Sequence, residues 1–285
     1  MARKDRKKLE LKEGERAFSF LPMNRREGKP RKQGVTEMRG PYYTPMGKRY
    51  LEDILETTGA YIDILKFAGG SFSLMPSKAV KEIIDLCHRY GLKVDTGGFI
   101  EHVLTQGTAA VRQYIEECKR LEFDIVEISS GFISVPPDDL IRLTEKVQKA
   151  GLKVKVEVGI QFGAGGASTV EELGAEGTSD PDWAILRAKR HLDAGAYMIM
   201  VESEGITESV RTWRTDVISK FIRELGLERT MFEAAEPEVF SWYIKNYGPE
   251  VNLFVDHSQI VQLECLRSGI WGTKDLWGRV LTFKG

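Results

Sequence analysis

Short apolar runs of strand length recur along the chain, and each carries a charged residue at or near its C-terminal end. The clearest is Lys153–Gly159, K-V-K-V-E-V-G, which carries Glu157 and breaks at Gly159. The others are Gly34–Arg39, Tyr61–Phe67, Lys93–Gly97, Asp124–Ser129, Tyr197–Glu202, Thr230–Ala234 and Val251–Asp256, making eight in all. Between them lie mostly helix-length segments with apolar positions three and four apart. The spacing predicts helices over Lys48–Thr58, Pro76–Tyr90, Thr108–Leu121, Asp182–Ala194, Glu208–Leu225, Pro237–Tyr247 and Ile260–Arg267, and one starting at Pro136-Pro137-Asp138-Asp139. Eight strands alternating with eight helices predict an α/β fold, a (β/α)8 TIM barrel.

In such barrels the strand C-termini form the functional mouth. Glu37, Asp95, Glu127, Glu157, Glu202, Glu233 and Asp256 are expected there, with Lys66 among them. So many carboxylates share a small cleft only with a cation present or with raised pKa values. A divalent metal is the simplest relief, and Glu127, Glu157, Glu202 and Glu233, ending consecutive strands, are its expected ligands. The bland alternative pairs some of these glutamates with lysines such as Lys153 or Lys155. Lys66 precedes Gly69-Gly70-Ser71, a turn whose N–H groups can approach an oxyanion. Asp95-Thr96-Gly97-Gly98 is a second turn of that kind, followed by Glu101 and His102. Tyr42 and Tyr43 on a mouth loop read as a lid or as ordinary packing. Phe162–Asp182, polar and glycine-rich, reads as a lid or a disordered insertion. Lys66 and Glu157 are the expected catalytic residues. Arg39, Gly70, Ser71, Thr96, Gly97, Asn252 and His257 are the expected substrate contacts.

With 285 residues and 42% hydrophobic content, the chain suits one barrel of about 250 residues plus extensions. Residues 1–33 form a charged arm, and 34–285 the barrel with a C-terminal extension. Met1–Lys8 reads as a solvated tail, while Phe18, Phe20, Leu21 and Met23 are expected to pack over the barrel bottom. A formal charge of -1 gives no reason to expect nucleic-acid or membrane binding. Cys87, Cys118 and Cys265 lack metal-motif spacing and read as reduced thiols of a cytoplasmic protein. Trp271 and Trp277 read either as a homo-oligomer contact or as a tail folded back on the barrel.

Tyr61–Ser71 (Y-I-D-I-L-K-F-A-G-G-S), Thr96-Gly97-Gly98, Val126–Gly131 (V-E-I-S-S-G), Glu157-Val158-Gly159, Phe232-Glu233-Ala234, Gly248–Leu253 (G-P-E-V-N-L) and Leu263–Gly269 (L-E-C-L-R-S-G) follow one another along the strand ends. In that order they resemble the phosphosulfolactate synthase family over roughly Lys29–Thr273. The resemblance implies a (β/α)8 barrel and Mg²⁺-dependent addition of sulfite to phosphoenolpyruvate on the way to coenzyme M. Gly34–Tyr43 and Val255–Gln259 look most like the plant heat-stress-associated branch, which is linked to acquired thermotolerance. Against the synthase pattern, Ile160 and Gln161 stand where lysines follow Glu-Val-Gly. Glu204 replaces an arginine, Gly40 stands near a missing aspartate, and Asp256-His257 replaces a neutral segment. Lys66, Ser71, Glu127, Glu157, Glu202, Glu233 and Asn252 are retained. Each lost cation removes about 1.5–3 kcal/mol of charged hydrogen bonding to an anion. Two functions therefore stay open: an Mg²⁺-dependent lyase or synthase acting on a small anionic substrate, or a barrel that has lost this reaction and protects or binds under stress.

Overall fold

In the computed structural model, residues 16–165, 168–176, 180–274, 276 and 278–283 are described. Eight parallel strands pair in chain order and close on themselves. They are β1 Thr36–Arg39, β2 Ile64–Lys66, β3 Lys93–Asp95, β4 Ile125–Ile128, β5 Lys153–Val158, β6 Met198–Val201, β7 Thr230–Glu233 and β8 Asn252–Asp256. Pairing of β1 with β8 at Glu37–Phe254 and Arg39–Asp256 completes the barrel. The helices are α1 Lys48–Thr58, α2 Ser77–Arg89, α3 Ile100–Thr105, α4 Thr108–Leu121, α5 Pro137–Lys149, α6 Val170–Glu176, α7 Pro181–Asp193, α8 Thr215–Leu225, α9 Pro237–Tyr247 and α10 Ile260–Arg267. None of the described helices is long and apolar enough to cross a membrane.

The period of two along each strand decides what the barrel contains. On β5, Val154, Val156 and Val158 pack outward into the main apolar core beneath the helices. Lys155 and Glu157 turn inward, where both join interior ion pairs. The lower interior is apolar, filled by Val35, Ile64, Ile125, Met198, Met200, Met231 and Phe254, with Tyr197 against them. Burying each such aliphatic side chain contributes about 1.5–3 kcal/mol. The upper interior is charged, and the outer apolar layer is what lets the sheet hold it.

Two expectations are corrected here. Phe18, Phe20 and Leu21 stay exposed rather than packing over the barrel bottom. Polar side chains fasten the arm instead: Arg26 pairs with Glu264, Arg31 with Asp63 at 3.0 Å, and Asn24 donates to the carbonyls of Arg267 and Val280. The helix expected from Glu208 begins only at Thr215. Ser209 has φ 53°, and Gly205 N donates to Glu208 O, so this stretch is a turn. Of the Phe162–Asp182 segment, left open between lid and insertion, the described residues carry the helix α6. The C-terminal tail folds back through buried Leu276 and Val280, while Trp271 stays half exposed. Met1–Lys8 and Trp277 lie outside the described residues.

Candidate active site at the barrel mouth

The upper interior is an ordered stack of charges. Lys155 Nζ lies 2.6 Å from Glu37, 2.7 Å from Asp95 and 2.9 Å from Glu127, all with 0% side-chain exposure. Carboxylate oxygens of these three acids come close enough together to hold a metal ion, but the lysine ammonium stands among them. The other Glu127 oxygen is 2.7 Å from Lys66 Nζ, which also lies 3.4 Å from Glu157. Burial pushes the Glu127 carboxyl up, yet Lys155 and then Lys66 outweigh it and hold it down at about 2. Burial pushes Glu37 up to about 7 against the pull of Lys155. Burial opposes the charge on Lys66, but Glu127 and Glu157 outweigh it and keep the ammonium protonated. Glu127, with both oxygens on ammonium groups, belongs to this ladder and also reaches the wall of the mouth cavity above it.

Above the ladder, Glu157, Glu202 and Glu233 end β5, follow β6 and end β7. Together with Arg39, Lys66 and Phe254 they line a cavity of about 420 Å³ that Tyr42, Tyr43, Glu101 and His102 also border. Arg39 Nη2 donates to Glu233 Oε1 at 2.6 Å and its guanidinium lies 4.9 Å from the Tyr43 and Phe254 rings. Glu202 Oε1 accepts from Glu204 N at 3.1 Å. Burial, reinforced by Glu233 and Glu157, raises the Glu202 carboxyl well above the usual range. Burial also lifts Glu157, to about 8, with Glu127 and Glu233 adding to it against Lys66. Glu233 is raised by burial as well. Carboxyls that repel one another in a shared cavity invite a counter-cation, which would replace their protons, although their oxygens do not converge within 4.8 Å of one another as those of Glu37, Asp95 and Glu127 do.

Several expected substrate contacts serve the fold instead. Asn252 is the first residue of β8, at the far end of the barrel. Its side chain accepts from Val35 N and donates to the carbonyls of Leu227 and Thr230. Gly70, at φ 67°, is where the Phe99 ring packs and a Cβ would overlap it. Gly97 lies where a Cβ would come within 2.6 Å of Phe67 O. Thr96 is fully buried and its Oγ1 accepts from Glu127 N. Ser71 Oγ is buried without a hydrogen-bond partner and is outside the cavity wall. His257 is engaged by Tyr50 at 3.0 Å and by Asp256 at 3.2 Å. Gly69 and Gly98 reach the cavity instead.

The residues that depart from the synthase pattern have a shared use. Glu204 accepts from Gly165 N at 2.7 Å and Ser168 N at 2.8 Å, and Gln161 donates to Leu173 O at 2.7 Å. Both tie the 161–173 segment beside the mouth. A second cavity of about 510 Å³ opens there, sharing Glu157 and Glu202 with the first. Arg187 of α7 reaches its wall and donates to Ser130 Oγ at 2.9 Å. Nothing in the sequence pattern singled out Arg187, because it sits mid-helix far from any strand end.

The model of the (2R)-phospho-3-sulfolactate synthase (ComA) family matches residues 24–273. The Arabidopsis thaliana protein HEAT-STRESS-ASSOCIATED 32 is 41% identical over 259 residues, 87% of this chain and 91% of that one. Phosphosulfolactate synthase of Methanothermobacter thermautotrophicus is 28% identical over 271 residues, covering 93% and 98%. Among solved structures, 2,3-dimethylmalate lyase superposes with a TM-score of 0.50 at 16% identity, covering 84% of this chain and 85% of that one, a likeness of fold. With the motifs in order on the strand ends and the family match spanning the barrel, the chain belongs to the phosphosulfolactate synthase family.

Proposed function

We propose that the mouth carries out a Mg²⁺-dependent lyase or synthase reaction, adding sulfite or a related nucleophile to phosphoenolpyruvate or a similar enol-phosphate. The observation that carries this reading is the trio Glu157, Glu202 and Glu233 beside Lys66 and Arg39 in one cavity. The nucleophile's lone pair forms the bond to the methylene carbon, the C=C π pair moves onto the substrate carboxylate as an enediolate, and that pair then takes a proton at the neighbouring carbon. A divalent cation held by the trio would stabilise the charge developing on that carboxylate. Lys66 stays charged between Glu127 and Glu157, so it acts as a fixed positive field rather than a proton donor. Burial lifts Glu157 to about 8 where no cation is bound, and a cation on the trio would displace that proton, so the proton that reaches the carbon comes from a water molecule. Arg39 is the cation placed to meet the phosphate, at the expense of its pairing with Glu233.

The anchoring of the mouth segment by Gln161 and Glu204 supports a second reading, in which the barrel binds a ligand without this reaction. The relative named for heat stress suits that reading. The two are separated by following phosphoenolpyruvate and sulfite with Mg²⁺ by phosphorus NMR. The synthase reading expects a sulfonated phosphate ester that disappears with chelator. Phosphoenolpyruvate that stays intact with Mg²⁺ present rejects it in favour of binding alone.

A further inference from the structure

The barrel end opposite the mouth holds a cluster of cations that the reaction does not use. Lys93 begins β3 and Lys153 begins β5, and their ammonium groups lie 5.8 and 4.9 Å from the centre of the Tyr197 ring. They line a cavity of about 350 Å³ with Lys32, Arg229, Arg31, Asp63 and Glu228. Arg31 and Asp63 neutralise each other at 3.0 Å, and Glu228 accepts from Gln33 at 3.3 Å. Among the described residues, Lys32, Lys93, Lys153 and Arg229 have no ion-pair partner. Burial, and after it the like charge of Lys153, pushes the Lys93 ammonium below its ordinary range. Two ammonium groups gathered over one ring, Lys93 part-buried and Lys153 at the exposed end of β5, repel each other, and an anion between them removes that repulsion.

We infer that this cavity is a binding site for a small molecule carrying phosphate charges, held by Lys93 and Lys153 with Lys32 and Arg229 at its rim. A concave space of this size is that of a small-molecule site. Multiple unpaired cations select a multivalent anion over a monovalent one, and lysines meet phosphate as compact point charges. The Tyr197 ring forms an apolar wall for the rest of such a ligand. The site is separated from the mouth by the apolar lower interior, so it stands whether or not the proposed reaction is correct.

The test is calorimetric titration of the full chain with inorganic pyrophosphate, in wild type and in four variants. Wild type is expected to bind one equivalent more tightly than it binds orthophosphate. Lys93→Gln/Lys153→Gln, which keeps the side-chain stems, is expected to weaken binding about tenfold or more. Arg229→Gln, on an exposed side chain that leaves the fold intact, should weaken it by a smaller factor. Lys245→Gln on the outer surface should leave it unchanged, and Arg39→Gln, which weakens any anion at the mouth, should keep the bottom-face binding. Equal weakening by Lys245→Gln would reveal diffuse attraction to surface charge and overturn the assignment. Loss of binding in Arg39→Gln, or unaltered binding in both bottom-face variants, would overturn it too.

Discussion

Replacing Lys155 by Met tests whether the buried charge ladder holds the upper barrel together. The side chain is fully buried, and its ammonium lies within 2.6–2.9 Å of three carboxyls. Methionine fills nearly the same space, so the change removes charge more than volume. Removing one partner of a buried ion pair destabilises by about 3–5 kcal/mol. That is a large share of the roughly 5–15 kcal/mol that holds a domain folded. The loss should depend on pH. Glu37 is already lifted from 4.5 to about 7 and Asp95 is raised, both mainly by burial. Without Lys155 both rise further, because the attraction that opposed burial has gone. A carboxyl whose folded pKa exceeds its unfolded value stabilises the fold below the unfolded pKa, and this contribution is lost as pH rises through the folded one. Urea unfolding followed by circular dichroism should therefore show a deficit that is smaller near pH 5.5 and larger near pH 8. Adding Glu37→Gln and Asp95→Asn should recover part of the deficit at pH 8. A deficit under about 1 kcal/mol, or one with no pH dependence, would refute the ladder's structural role.

Three further outcomes follow from single sites. His191 is buried, its Nδ1 2.9 Å from Thr144 Oγ1, and burial lowers its pKa from 6.5 to about 4. Stability should fall by up to about 3 kcal/mol as pH drops from 6.5 towards 4, because the unfolded chain takes the proton first; His191→Gln should flatten that slope in urea melts. Glu204→Ala removes the two charge-assisted bonds from Gly165 N and Ser168 N, so limited proteolysis beside these residues should quicken while the global melting point changes little. Gly70→Ala places a Cβ into the Phe99 ring at φ 67° and should cost about 1–3 kcal/mol in the same melts.

The barrel was legible because parallel strands and amphipathic helices repeat in strict alternation, and α1, α4, α9 and α10 begin and end where the spacing places them. The mouth was legible from the charged strand ends, which brought Lys66, Glu157, Glu202, Glu233 and Arg39 into one cavity. Depth inside the barrel was less legible. Glu37 and Asp95 look like mouth carboxylates in a linear reading, yet they close around Lys155 below Glu127, which alone of the three also reaches the mouth cavity, because the inward side chains of different strands stack at different heights. Asn252 shows the same effect in reverse, since its position as the first residue of β8 puts it at the opposite end. Glycine turns were ambiguous for another reason: Gly70 and Gly97 exist to admit Phe99 and the Phe67 carbonyl, and a sequence does not show what approaches a glycine. Helix α8 starts late because the stretch before it turns back through Gly205 and Ser209, which helical spacing alone does not register.

The central claim is that Glu157, Glu202 and Glu233 hold a divalent cation. Locating Mn²⁺ by anomalous scattering in crystals soaked with it tests this directly. The account predicts a peak among those three carboxyls, lost in Glu202→Gln crystals. No peak there at saturating Mn²⁺, or a peak only at the outer cluster of Asp85, His88 and Glu122, would contradict it.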